Sequence, residues 1–253
     1  MYPQQRREQM IVLLAKHGFI PISDLAAMLG VSEMTVRRDL RALEEAGQVQ
    51  KVTGGGKVAG AANEPAFLTK RVLQQAEKQA IAKAALQLIE PGMTVGFSAG
   101  TTTWTLACMV KGFDNLTFVT NSTNIAIDLS ANGWSEIILT GGNFRTPSDA
   151  LVGPLAEQSI RRLHTDILFL GVHGIDPVRG ISTPNLLEAS VDRALMEHTD
   201  RVVVVFDHTK WDIAALAHIA DLEEIDTAIT DGGGGERQQA MLREAGVDVI
   251  VVT

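Results

Sequence analysis

From Gln74 onward the chain repeats one alternation. Strand-sized apolar runs fall at about 93–97, 116–120, 136–140, 166–172, 201–206, 226–230 and 247–252, with helical stretches between most of them. The runs are rich in Val, Ile and Leu. That pattern belongs to a mostly parallel sheet covered by helices on both faces, because parallel strands are joined by crossovers that bury each face. A helix is expected over Gln74–Ile89, with Ile81, Ala85 and Leu88 on one side and Pro91-Gly92 ending it. In such sheets ligands bind beyond the carboxyl ends of the strands.

The first 57 residues read differently. They carry eight Lys and Arg against six Asp and Glu, whereas the remaining 196 carry 14 against 24. Opposite balances in the two parts suggest that only the first meets a polyanion. Three helical patterns occupy it: about Gln5 to His17, stopped by Gly18; Asp24–Leu29 behind Ser23 as N-cap; and a third from the N-cap Ser32 to the residue before Gly47. Only Gly30-Val31 separates the second and third, which is the helix-turn-helix spacing. Gln48–Thr53 then alternates into Gly54-Gly55-Gly56 and reads as a hairpin, or wing. The small residues from Thr53 to Asn63 mark a linker, placed at 58–72, between domains at 1–57 and 73–253.

At about 100° per residue, Val36, Leu40 and Leu43 share one arc of the third helix. Met34, Arg37, Arg38 and Arg41 lie opposite, with Thr35 at the edge. Three guanidinium groups on one exposed face suit phosphates and guanine edges. A recognition helix presents its first residues to the major groove, which adds Ser32 and Glu33 to the expected DNA-binding set; Lys51 of the wing completes it. The competing reading is a solvated face with Arg37–Glu33 or Arg41–Glu45 pairs.

Several strand ends carry anion-binding chemistry. Ser98-Ala-Gly-Thr-Thr-Thr103 follows a strand and opens a helix, so that Ser98, Gly100, Thr101, Thr102 and Thr103 combine close backbone approach, hydroxyls and a helix N-terminus. Asn121 and Ser122 follow the next strand, and Gly141-Gly142 opens a loop bearing Arg145. Gly171 ends another strand, with Asp176 beyond it and Glu188 on a helix starting near Pro184. In Asp207-His-Thr-Lys-Trp211, Lys210 could pair with a phosphate and Trp211 wall a sugar. Each signal alone is also read as a plain helix cap or turn. In succession on one sheet edge they favour a phosphate-sized ligand.

Other chemistry is not indicated. The six histidines show no paired ligand spacing and Cys108 stands alone, so no metal and no cofactor is expected. No apolar run approaches the roughly 20 residues of a membrane span, and the N-terminus has no signal-peptide stretch, which points to the cytoplasm.

Residues 6–56 resemble the DNA-binding half of the DeoR-type bacterial transcriptional regulators. The resemblance is carried by Arg6-Arg-Glu-Gln-Met-Ile11, Ser23-Asp-Leu-Ala26, Val31-Ser-Glu-Met-Thr-Val-Arg-Arg-Asp-Leu40 and Gly54-Gly55. The second half is similar to the sensor domain of that family through Gly100–Thr103, Thr120–Ser122, Gly141-Gly142, Phe169–Gly171, Gly174–Asp176 and Asp207–Lys210. The resemblance implies a winged helix-turn-helix domain followed by a larger, mostly parallel α/β domain resembling ribose-phosphate isomerases. It implies a repressor of a carbohydrate operon, binding double-stranded operator DNA as a homodimer or higher oligomer and released by a phosphorylated sugar or polyol. This chain has Ser98-Ala99 where the family often has an acidic pair. It has Asp192-Arg193 where the family helix commonly has Lys-Arg, and Lys51-Val-Thr53 where the wing commonly has Arg-x-His. The alternatives are a sugar-phosphate isomerase using Asp176, Glu188 or Asp207 beside Lys210, and a protein adaptor built on the helix-turn-helix.

Overall fold

The computed structural model describes residues 2–17, 19–52, 54–58 and 66–253, with the side chains of all but Ala15, Lys16, Lys51, Lys57 and Val58. The chain divides into two compact units, Met1–Leu73 and Gln74–Thr253.

The first unit runs α1 (Pro3–His17), β1 (Phe19–Pro21), α2 (Ile22–Leu29), α3 (Glu33–Glu45), β2 (Val49–Val52), β3 (Gly55–Val58) and α4 (Phe67–Val72). Its core is built from one face of each helix: Met10, Ile11 and Leu14 of α1, Leu25 and Leu29 of α2, Val36, Leu40 and Leu43 of α3. Gly30, at φ +64°, caps α2 and turns the chain into α3, a left-handed backbone that glycine adopts without a Cβ clash. The wing has three strands, antiparallel in the order β1-β3-β2, one more than the hairpin read from Gln48–Gly56. That third strand also moves the start of α2. Ile22 N–H donates to Gly54 O of the wing, so the helix begins at Ile22, and Ser23, expected as its cap, lies inside the first turn with its hydroxyl on Asp24.

The linker expected at 58–72 is corrected at both ends. β3 reaches Val58, and Phe67–Val72 forms α4, whose Phe67 and Val72 are buried and whose Val72 joins the core of the first unit. These two large apolar side chains, five residues apart, accompany the packing of this segment against α1. Residues 59–65 of that linker, with Gly18 and Thr53, lie outside the described residues.

The second unit contains α5 (Gln75–Leu86), β4 (Thr94–Phe97), α6 (Thr101–Met109), β5 (Thr117–Thr120), α7 (Thr123–Ala131), β6 (Ile137–Leu139), β7 (Asn143–Arg145), β8 (Ala150–Val152), α8 (Pro154–Ile160) and β9 (Ile167–Gly171). It continues through β10 (Gly174–Asp176), β11 (Gly180–Thr183), α9 (Leu186–Glu197), β12 (Val202–Val205), β13 (Ala217–Ala220), β14 (Thr227–Asp231), α10 (Gly235–Glu244) and β15 (Asp248–Val252). The seven apolar runs form one seven-stranded sheet, ordered β15-β14-β12-β9-β4-β5-β6, with every pairing parallel. Alternate residues of each strand feed opposite cores: Leu168, Leu170, Val202 and Val204 on one face, Ile167, Phe169, Val203 and Val205 on the other. Phe97 stacks between Phe118 and Phe169 on the second face. The short antiparallel groups β10-β11-β13 and β7-β8 stand outside this sheet.

The order positions a site. From β4 the chain proceeds outward through β5 and β6 on one side, and from β9 through β12, β14 and β15 on the other. The two directions part between β4 and β9, and at such a switch point the connections diverge and leave a crevice beyond the carboxyl ends.

Candidate DNA-binding face and effector crevice

The third helix is held at its start and midway along its buried stripe. Ser32 caps it, its Oγ accepting from Thr35 N–H at 3.3 Å. Val36, Leu40 and Leu43 are buried as their spacing predicts, and Asp39 is buried with them at 0% exposure. Its carboxylate takes Arg6 Nε at 2.6 Å and Arg7 Nε at 3.2 Å, which ties α3 to the start of α1. Sequence reasoning passed over this pair. The available signal was phase: Asp39 falls about 40° beyond Leu43, at the border of the apolar arc, where a buried acid needs a cation.

Opposite lies the exposed face. Met34, Thr35, Arg37, Arg38 and Arg41 line one concavity. Arg37 pairs with Glu33 at 3.2 Å in solvent, an exposed contact that contributes little and yields readily to a phosphate. Arg38 and Arg41 have no side-chain partner among the described residues. The Arg41–Glu45 pair of the competing reading is absent there. Lys51 stands on β2, but its side chain lies outside the described residues.

The β4–β9 crevice brings together part of the second expected set. Ser98 is fully buried and its Oγ accepts from Gly171 N–H at 2.9 Å, which stitches the two strand ends. Gly100 and Gly171 meet here: a Cβ on Gly100 would stand 3.7 Å from Gly171 Cα and 3.1 Å from Thr103 Oγ1. Thr103 Oγ1 reaches Ser98 O at 2.8 Å and Gly100 O at 3.0 Å. Thr101 and Thr102 begin α6 with hydroxyls that have no partner among the described residues. The first N–H groups of α6 have no intrahelical acceptor, and its dipole favours an anion.

Several expected ligand donors are occupied by the fold. Asn121 Oδ1 accepts from Ala99 N–H at 2.8 Å, bracing the β4 loop from the neighbouring strand. Ser122 caps α7, accepting from Ile125 N–H at 3.2 Å and donating to Asp149 at 2.6 Å. Asp149, not foreseen, also receives Thr123 Oγ1 and Asn124 N–H. Gly142, at φ +119°, lies where a Cβ would strike Val152 O at 2.7 Å, so it serves the β7–β8 hairpin; Gly141 is exposed. Asp176 Oδ1 accepts from Val178 and Arg179 N–H, closing its own hairpin. Trp211 is buried and packs edge-on against Phe206 at 4.8 Å, within the core of the second unit.

Arg145 donates to Glu188 at 2.8 Å and to Ser148 at 3.1 Å, and Glu188 also accepts from Thr183 at 2.9 Å. One turn beyond Glu188, Asp192 is buried; desolvation pushes its carboxyl well above the usual carboxylate range, and Glu188 beside it adds to the rise. Lys210 is half-buried on a single helical turn, His208–Lys210, that follows β12 and is capped by Asp207. His208 Nδ1 pairs with Asp231 at 2.7 Å, joining the ends of β12 and β14. Among the described residues no cluster of acid, His and Cys side chains could hold a metal, and no helix is long and apolar enough to cross a membrane.

A capped, cationic helix on one unit and a crevice at a strand-order switch point on the other define a DNA-binding regulator with a sensor domain. The comparisons with known proteins agree. Residues 6–60 match the DeoR-like helix-turn-helix domain and residues 73–232 the DeoR C terminal sensor domain. The chain is 39% identical over 251 residues to the putative aga operon transcriptional repressor of Escherichia coli O157:H7, covering 98% of this chain and 93% of that one. It is 36% identical to the regulator GlpR of Haloferax volcanii over 99% of this chain and 98% of the relative. It is 34% identical to the regulator GolR of Listeria innocua over 98% of both. The chain belongs to the DeoR family of helix-turn-helix transcriptional regulators, whose members are named as regulators and not as enzymes. Ribose 5-phosphate isomerase from Methanocaldococcus jannaschii overlays 54% of this chain at 16% identity and a TM-score of 0.39.

Proposed function

We propose that this regulator represses a carbohydrate operon and is released from its operator by a phosphorylated sugar or polyol. Repression is supported by the relatives named as repressors. The observation that carries the DNA half is the exposed face of α3, where Arg38 and Arg41 have no side-chain partner among the described residues on a helix fixed by Ser32 and Asp39. Fixing a helix in this way leaves its guanidinium groups preorganised for phosphate and base edges. The contact set is Ser32, Glu33, Met34, Thr35, Arg37, Arg38, Arg41 and Lys51.

For the effector half, the phosphate is assigned to the start of α6, where Thr101 and Thr102 offer free hydroxyls beside unpaired N–H groups. Lys210, Arg145 and Glu188 flank the remainder of the ligand. Ser98, Gly100, Thr103, Asn121, Ser122 and Gly171 shape the crevice through the bonds described above. An effector acts only if it binds the low-affinity state better than the DNA-bound state. A two-fold oligomer reading a repeated half-site completes the scheme, because a single module of this size binds DNA weakly.

Fluorescence anisotropy on DNA from beside the gene tests the reading. Binding should weaken linearly in log affinity against log salt, and a phosphorylated sugar that raises the melting temperature should weaken it further. Equal affinity for that fragment and random DNA, unmoved by every such sugar, would overturn it.

A further inference from the structure

Two buried carboxyls on α9 are served unequally by the fold. Glu188 and Asp192 are four residues apart and so share one helix face. Each is 8% exposed. Glu188 is engaged once on each oxygen, by Arg145 and by Thr183, which leaves acceptor capacity on both. Asp192 has neither hydrogen bond nor ion pair among the described residues. Arg145, the cation of this cluster, is committed to Glu188 and Ser148.

The topology places this pair at the crevice edge. β9 ends at the carboxyl edge of the sheet and β12 runs parallel to it, so α9, which leads back to β12, starts from that edge. Ala99, between Ser98 and Gly100, packs against the same apolar cluster as Ala189, Val191 and Leu195 of α9.

We propose that Asp192 is a specificity-determining residue of the effector site: with Glu188 it receives a protonated amine on the phosphorylated ligand. The proposal rests on the crevice being the effector site. A carboxylate buried without a partner is unfavourable, and a fold that keeps one has left the partner to be supplied. An ammonium brings the missing charge and three donors. A hydroxyl brings a donor but no charge, so it gains no ion pair and leaves a carboxyl that burial already holds toward its protonated form. The ligand class is therefore a phosphorylated amino sugar or amino polyol.

The test is calorimetry on the full chain with 2-amino-2-deoxyhexose 6-phosphates and the matching hexose 6-phosphates, in gluco, galacto and manno configurations. At least one amino compound should bind about tenfold or more tightly than its hydroxyl counterpart, the size expected for a hydrogen bond to a charged group. Asp192→Asn should bring that pair to within about twofold by weakening the amino compound alone. The preference in the unaltered protein stands as a measurement even if the variant misfolds. Hydroxyl compounds that bind as tightly as their amino partners would overturn the amine assignment and leave the crevice as a phosphosugar site. Failure of all six compounds to bind would overturn both.

Discussion

Arg38 and Asp192 show what single side chains do here. Arg38→Ala removes an exposed guanidinium that has no side-chain partner among the described residues. Operator affinity should fall by about 1–3 kcal/mol if it reads a base, and random DNA should be affected far less. An equal loss on both DNAs would make Arg38 a phosphate contact. Asp192 gives a pH prediction. Its carboxyl is raised in the folded chain, so above the ordinary Asp value of about 3.9 the native state holds a proton that the unfolded state has lost. Stability from this group is complete below that value and declines as pH rises through the raised one. Asp192→Asn should flatten that decline in urea unfolding across the acid-to-neutral range; superimposable profiles would refute it. The arginine face was legible in the sequence, because charge at helical period is a one-dimensional pattern. The pairing of Asp39 with Arg6 was not, because the two lie 33 residues apart and only folding brings them together.

Among the elements, α3 and α6 are the ones on which the two proposed activities rest. Asp39→Ala removes the buried anion that Arg6 and Arg7 share, and breaking a buried pair from one side costs about 3–5 kcal/mol. The first unit should melt earlier in thermal unfolding followed by circular dichroism, and operator binding should weaken with it. An unchanged melting profile would show that the pair does not anchor α3. At the sheet edge, Ser98, Asn121 and Ser122 were read as ligand donors and serve as stitches and caps. A Ser or Asn after a strand looks the same in either role, since both use the same short polar side chain, and only the neighbouring backbone decides. Strands β7, β8, β10, β11 and β13 were missed because they are antiparallel and stand outside the strand–helix alternation that exposed the equally short strands of the main sheet. The helix α4 was absorbed into the expected linker, since its apolar residues follow a run of small ones.

For the whole molecule, the regulatory reading demands that DNA and effector affinities be separable. Lys210→Ala should leave operator affinity within about twofold and blunt release by a bound phosphosugar, because an exposed-to-half-buried lysine contributes little to stability. Anisotropy titrations with and without the ligand measure both quantities. Full release with unchanged ligand affinity would remove Lys210 from the site.

The amino-acid order alone determined the division into a cationic helical head and an acidic α/β body. It also determined the seven strands of the main sheet, the turn at Gly30 and the exposed arginines of α3. These follow from composition and local period, which survive in one dimension because burial on both faces or on one stripe imposes them residue by residue. The tertiary structure alone decided the strand order that opens the crevice between β4 and β9, the anchoring of α3 through Asp39, and which polar side chains stay free. Those depend on partners distant in the chain, and a hydrogen bond or buried charge is satisfied in space, not in sequence.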